Sequence, residues 1–156
     1  MSAWFKQIGR IVAAAAVLGA LAACAGPRYS VVQNTLPPLA AGEGRIFFYQ
    51  PQPSNISGAQ QKLRVNNEVV GRNKPAAFFY VDRPAGSYVV TNLYWTGDGV
   101  SFALDEGQSR YVRITAENLG STGTVGKLTM QLAEPEQAQA EMQPLRLWGA
   151  ATPGRP

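Results

Sequence analysis

The chain has 156 residues, of which 46% are hydrophobic and only 15% are charged. This composition indicates one compact domain and excludes the disordered class, in which hydrophobic content is low and charge is high. The formal net charge of +4 includes Lys6 and Arg10, and without these two the chain holds 12 basic residues against 10 acidic ones. The basic residues are also spread along the sequence, so the pattern predicts no nucleic-acid partner.

The sequence contains no histidine, and Cys24 is its one cysteine. These counts exclude disulfide frameworks, Cys/His zinc sites and nucleophiles that are activated by histidine. We therefore predict no cofactor, no metal site and no catalytic residue, and we interpret the protein as non-enzymatic. A pair of carboxylates in a cleft is the enzyme type that stays open, since ten Asp and Glu residues are present.

The first 23 residues have the layout of an export signal. Residues 1–10 carry two positive charges, and residues 11–23 form an uncharged run rich in Ala, Val and Leu. The run is shorter than the ~20 apolar residues that a membrane-spanning helix needs. The pattern predicts an N-terminal signal helix that is removed in the mature protein.

The end of this leader resembles the lipobox of bacterial lipoproteins. Leu21, Ala22 and Ala23 match the residues that the signal peptidase recognises, and Cys24 is the expected lipid attachment site. The alternative is an ordinary secretory signal with A-x-A cleavage and a chance cysteine. We favour lipidation because the sole cysteine falls at the position that the small residues require. By resemblance to lipoprotein sorting, the absence of an aspartate after Cys24 predicts the outer membrane, facing the periplasm.

Residues 24–44 are small and polar, with several Pro and Gly, and predict a lipid anchor followed by a tether. Such a tether could hold the domain some tens of ångströms from the bilayer, and docking of a part of it on the sheet stays open. Residues 45–148 then form short β-rich runs separated by turn residues. We predict an all-β fold, a single antiparallel β-sandwich of about seven or eight short strands, with a short C-terminal helix. Residues 149–156 are predicted to be a flexible tail.

The strands are predicted from alternation and from turn residues. Asn66 and Asn67 tolerate the positive φ angles of a hairpin turn between residues 62–66 and 68–71. Residues 87–95 carry large side chains on both faces, which indicates that one face is only partly covered. In residues 127–132, Leu128, Met130 and Leu132 are expected to face inward. The other predicted strands are residues 45–50, 76–81, 100–104 and 110–115.

The C-terminal segment departs from this alternation. Pro135 and the following Glu, Gln and Ala residues predict about two turns of helix, which Pro144 ends. We expect Leu145, Leu147 and Trp148 to pack against the sheet or to extend one of its edges.

Four segments together resemble a family of bacterial lipoproteins that share a prealbumin-like β-sandwich domain of unknown function. They are residues 44–51 (GRIFFYQP), 65–71 (VNNEVVG), 84–88 (PAGSY) and 106–112 (EGQSRYV). The resemblance covers most of residues 42–147 and implies a fold and a compartment, without an activity or catalytic residues. Gln50 stands where the family usually has arginine, and Asn66-Asn67 stand where it usually has Asp-Gly.

Tyr94 and Trp95 are the candidate patch for a ligand or partner. Beside the loop that follows them, they could form an aromatic platform for a glycan or peptide. The alternative is a strand end that packs beneath a turn, which we favour. Asp98, Asp105 and Glu106 lack calcium-loop spacing and are interpreted as turn residues. The glycine-rich residues 120–126 lack the lysine and helix of a phosphate-binding loop.

The sequence therefore predicts a membrane-anchored envelope lipoprotein whose non-catalytic sandwich binds or scaffolds an envelope protein partner. An exposed sheet face or an edge strand would supply the contact. The second hypothesis is a lipoprotein that binds a small ligand or glycan in an aromatic pocket near Tyr94 and Trp95.

Overall fold

The computed structural model describes residues 26–51, 60–92, 99–116 and 128–149. Within these ranges the chain forms two stacked sheets with a helical layer on one of them, so the predicted all-β sandwich is confirmed. The helices are α1 (Tyr29–Val32) and α2 (Pro135–Met142). The strands are β1 (Glu43–Gln50), β2 (Lys62–Val65), β3 (Glu68–Arg72), β4 (Ala77–Pro84), β5 (Gly86–Asn92), β6 (Val100–Leu104), β7 (Ser109–Ala116), β8 (Leu128–Ala133) and β9 (Arg146–Leu147). The predicted signal helix lies outside the described residues.

The first sheet has the strand order β8-β7-β1-β4-β9, and the second has the order β3-β2-β5-β6. Most neighbouring strands are antiparallel, but β1 pairs parallel with β7, and β4 pairs parallel with β9. The first sheet is therefore mixed, where the sequence predicted only antiparallel pairing. The described strands number nine rather than seven or eight, because residues 146–147 extend the edge of the first sheet as a short strand.

The main hydrophobic core lies between the two sheets. The first sheet contributes Ile46 and Phe48 from its central strand, with the Phe48 ring stacked on Phe79 at 4.8 Å. Leu63 and Val90 from the second sheet are fully buried against this layer. Alternate residues of β2, β5 and β6 face this core, as expected for strands with one solvated face.

A second core covers the opposite face of the first sheet. Phe47 and Tyr49 of β1 pack there against Tyr29 of α1 and against Ala138 and Met142 of α2. β1 is thus buried on both faces, which explains why its residues 46–49 (IFFY) are hydrophobic without a break. The helical layer covers aromatic residues of the first sheet that a two-layer sandwich would leave exposed: Phe47, Tyr49, Phe78, Tyr80 and Tyr111.

The predicted hairpin and C-terminal helix are present. Asn66 and Asn67 have φ angles of 47° and 69°, the left-handed values that a two-residue turn needs. Pro135 is in the first turn of α2, and the helix ends at Met142, two residues before Pro144. Gln50 is buried and accepts a hydrogen bond from Asn73 Nδ2 at 3.0 Å.

The prediction for Leu132 was wrong. Leu128 and Met130 are buried as expected, but Leu132 is 40% exposed. It lies near the end of β8, the edge strand of the larger sheet. Alternation assigns Leu132 to the same face as Leu128 and Met130, but it does not specify how far along the strand that face is covered. The partial coverage predicted for the strand at residues 87–95 does appear in β5, where Val90 is buried and Val89 is 42% exposed.

Candidate functional site

The residues that the sequence singled out lie outside the described part of the chain. These are the lipid attachment residue Cys24, the recognition residues Leu21, Ala22 and Ala23, and the aromatic pair Tyr94 and Trp95. Asp98 and the glycine-rich residues 120–126 lie outside it as well. Among the described residues, the chain just after Cys24 leads to a groove on the surface.

Residues 26–29 run along β9, on the side of it that has no neighbouring strand in the first sheet. The Tyr29 amide donates to the Leu145 carbonyl at 2.9 Å, and the Leu147 amide donates to the Pro27 carbonyl at 2.9 Å. These bonds flank an antiparallel bridge between Arg28 and Arg146. The segment predicted as the start of a tether is therefore hydrogen-bonded to the sheet edge from residue 26 onward.

Gly26 lies very close to β9. A Cβ atom at this position would overlap the carbonyl oxygen of Leu147. The Gly26 carbonyl in turn accepts a hydrogen bond from Arg146 Nη1 at 3.0 Å. Glycine is the residue that allows this close backbone approach. Two elements thus fix Gly26 in place, the β9 backbone and the Arg146 guanidinium.

A groove of about 290 Å³ opens beside this contact. It lies between the N-terminal segment, the loop before β4 and the turn after α2. Its charged side chains are all cationic, and Leu147 and Trp148 supply apolar wall. The lining residues are Gly26, Arg28, Lys74, Pro75, Ala76, Ala77, Pro144, Arg146, Leu147 and Trp148. We call this surface the basic groove.

Trp148 and Lys74 form the outer wall of the basic groove. The Lys74 ammonium lies 3.4 Å from the centroid of the Trp148 ring, a cation–π contact. The Trp148 amide donates to the Phe78 carbonyl at 2.8 Å, which fixes its backbone on β4. Trp148 is nevertheless 36% exposed. The backbone of Trp148 is thus held on β4, while part of the residue stays open to an incoming partner.

The positive charge of the basic groove has no carboxylate partner within the described ranges. The salt bridges there join Arg45 to Asp82, Arg83 to Glu68 and Arg113 to Glu141. None of the three includes Arg28, Lys74 or Arg146. A groove with three cations, apolar walls and no acidic lining residue is suited to bind an anion that carries an apolar body.

Two other polar clusters, one buried and one partly buried, are structural. Arg45 donates to both carboxylate oxygens of Asp82, at 2.6 and 2.8 Å, and also to the Pro37 carbonyl. Its hydrogen bond with Asp82 raises the pKa of Arg45, which outweighs the opposing effect of burial. The pair lies opposite in register on β1 and β4, and its hydrogen-bonding groups face each other. It stabilises the helical-layer side of the sheet.

Glu141 is the centre of the other cluster. It accepts hydrogen bonds from Tyr49 Oη and Arg113 Nε, both at 2.9 Å. Burial raises the pKa of Glu141, but the hydrogen bonds from Arg113, Tyr49 and Gln137 outweigh it and the pKa falls below its usual value. Burial, with the bond to Glu141, raises the pKa of the Tyr49 hydroxyl. A carboxylate held ionised by these donors links α2 to the sheet.

The acidic residues of the β6–β7 connection have ordinary turn roles. Glu106 Oε1 accepts a hydrogen bond from the Gly42 amide at 2.8 Å, and Gly107 adopts a φ of 73°. Within the described ranges no group of three or more potential metal ligands occurs. No helix in those ranges is long and apolar enough to cross a bilayer.

Sequence reasoning missed the basic groove because its cations are far apart along the chain. Arg28, Lys74 and Arg146 come from the N-terminal segment, the β3–β4 loop and β9. A pattern search for clustered Lys and Arg finds nothing at such separations. The one local signal, a lysine followed by a proline at Lys74-Pro75, is too common to single out the groove.

Comparisons with protein-family models, curated proteins and solved structures found no match for this chain.

Proposed function

We propose that this protein is a lipid-anchored lipoprotein of the bacterial envelope. Residues 1–23 are removed and Cys24 is acylated. The lipid anchors the protein in the outer membrane, and the sandwich faces the periplasm. The domain itself acts as a non-enzymatic binding or scaffolding module. The observation that carries the proposal is a sole cysteine placed at the small-residue end of a short, basic-then-apolar leader.

The arrangement of residues 26–29 supports this proposal. An acylated Cys24 is two residues before Gly26, and Gly26 is bonded to the edge of the sheet. A force on the lipid anchor is therefore transmitted to residues 26–29, whose backbone is hydrogen-bonded to the sheet edge. Each buried methylene of an acyl chain contributes ~0.8 kcal/mol, so a multiply acylated cysteine holds the domain at the membrane durably.

The binding role of the domain is proposed from its surface and from its chemistry. In the described part of the chain, β3 and β6 each have one neighbouring strand, so each offers an edge for strand addition by an envelope protein. Val69 and Val89 are exposed on the outer face of the second sheet.

The non-enzymatic assignment rests on the sequence, which lacks histidine and has its one cysteine in the leader region. The two-layer sandwich is consistent with the proposed kinship to lipoproteins with a prealbumin-like domain.

Intact-protein mass spectrometry of membrane-extracted wild type beside Cys24→Ser tests the anchor. The wild type is expected at the mass of residues 24–156 plus a lipid adduct. The variant should lack both the adduct and cleavage before position 24. A wild type cleaved elsewhere, without lipid, would contradict the proposal.

A further inference from the structure

The basic groove lies next to the point where the membrane anchor must leave the domain. Gly26 lines the groove, and Cys24 is two residues away. Two residues of fully extended chain span at most ~7 Å. If Cys24 carries the lipid, the bilayer surface therefore lies within about a nanometre of the groove, whatever path the intervening residue takes.

The chemistry of the groove matches the surface that the anchor would bring to it. Arg28, Lys74 and Arg146 supply positive charge, and Trp148 supplies an amphipathic ring. Lys and Arg bind anionic head groups, while tryptophan is enriched where the polar and apolar parts of a bilayer meet. The anchor also keeps the local concentration of head groups high, so that weak contacts suffice for occupancy.

We propose that the basic groove binds the phosphate of an anionic phospholipid head group in the leaflet that holds the Cys24 lipid. This inference rests on the proposed lipid anchor. The domain then lies directly on the membrane, with the β9 edge of the first sheet facing the lipid. Residues 26–44 act as a docked strap, and the free surface for an envelope partner is on the second sheet.

Quenching of Trp148 by brominated lipid tests the orientation. The lipidated chain carries Trp95→Phe, so that Trp148 is the one tryptophan left after removal of the leader. It is reconstituted in phosphatidylcholine vesicles with or without phosphatidylglycerol. The ratio of emission with ordinary and brominated acyl chains is then measured. We expect quenching to be at least about two-fold stronger in the anionic vesicles, and this difference to shrink in high salt.

Charge reversal identifies the residues. Arg28→Glu with Lys74→Glu is expected to remove the extra quenching in anionic vesicles, while the protein still floats with the vesicles through its lipid. Arg146 is kept, because it also holds Gly26. The matched control is Lys62→Glu with Arg64→Glu, which changes net charge equally on β2 of the other sheet. In the control, Trp148 should be quenched as strongly as in the parent protein. The midpoint of urea unfolding of each variant checks that it is folded.

The outcomes separate this inference from the proposed function. A lipidated protein that floats with both vesicles but shows equal quenching overturns the inference alone. Loss of quenching in both double variants overturns it too, because the effect then reflects net charge and not the groove. A protein that carries no lipid by mass and floats with neither vesicle overturns the proposed function and this inference with it.

Discussion

At the scale of residues, Glu141 shows how one carboxylate joins a helix to a sheet. It lies on α2, and its partners Tyr49 and Arg113 lie on β1 and β7. Arg113 also donates to Thr115 Oγ1 at 3.0 Å, so the guanidinium is held on both sides. The hydrophobic residues of α2 supply its burial, and this cluster sets its position along the strands.

The lowered pKa of Glu141 predicts a stability that depends on pH. Because the folded state favours the carboxylate, the unfolded chain binds more protons in acid. The contribution is fully present above the ordinary value of 4.5 and is lost as the pH falls through the lowered folded pKa. Glu141→Gln should lower the free energy of unfolding by about 1 kcal/mol at pH 7 and flatten its decline below pH 4.5. Urea unfolding between pH 3 and 7 measures both effects.

The control for this prediction is Glu136→Gln, an exposed position on the same helix without a salt bridge to the described residues. Its urea midpoint at pH 7 should stay close to that of the wild type. If Glu141→Gln has the same acid slope as the wild type, the carboxylate does not contribute in the way described.

At the scale of elements, the β2–β3 hairpin contains two asparagines with different roles. Both have positive φ, the conformation that glycine adopts at least cost. Asn66 also ties the turn to β5, since its Oδ1 accepts from the Val89 amide at 2.9 Å and its Nδ2 donates to the Ser87 carbonyl at 3.2 Å. The described hydrogen bonds give the Asn67 side chain no such contact.

This difference predicts opposite results for the same substitution. Asn67→Gly relieves left-handed strain and should raise the free energy of unfolding by up to ~0.5 kcal/mol. Asn66→Gly loses two hydrogen bonds to β5 and should lower it by about 1 kcal/mol. Thermal unfolding of the two variants at one pH gives the comparison. Equal shifts of Tm would show that the contacts of Asn66 to β5 carry no stability.

At the scale of the whole molecule, the N-terminal segment belongs to the second core. Tyr29 is 5% exposed and packs edge-on against Phe78 at 5.3 Å and against Phe47 at 6.1 Å. Burial, followed by the nearby Tyr111, raises the pKa of its hydroxyl. The boundary at residue 45 thus marks the start of β-rich sequence, while the described fold begins at Gly26.

Removing this side chain should destabilise the fold as a whole. Tyr29→Ala leaves a cavity between α1 and the first sheet and is expected to cost about 3 kcal/mol or more. Val31→Ala, two residues along the same helix, is the control, because Val31 is 67% exposed and should change little. Urea unfolding gives the free energies. Similar values for the two variants would mean that the segment is not part of the cooperative unit.

Much of the local structure could be predicted from the sequence alone. Alternation in β2, β6 and β7, the paired asparagines and Pro135 each act over a few residues, so their effects can be worked out from neighbours in the chain. The leader interpretation is equally local, since a basic segment, an apolar run and a cysteine are contiguous. It stays a prediction, as do the roles of Tyr94 and Trp95.

Three features became visible only in the folded chain: the parallel pairing of strands, the covered second face of the first sheet and the meeting of the three cations. β1 and β7 are far apart in sequence, and the helical layer joins residues from both ends of the chain. The basic groove arises in the same way, because Arg28, Lys74 and Arg146 approach only when the N-terminal segment pairs with β9. Each feature depends on long-range packing, and such packing leaves no periodic trace in the local sequence.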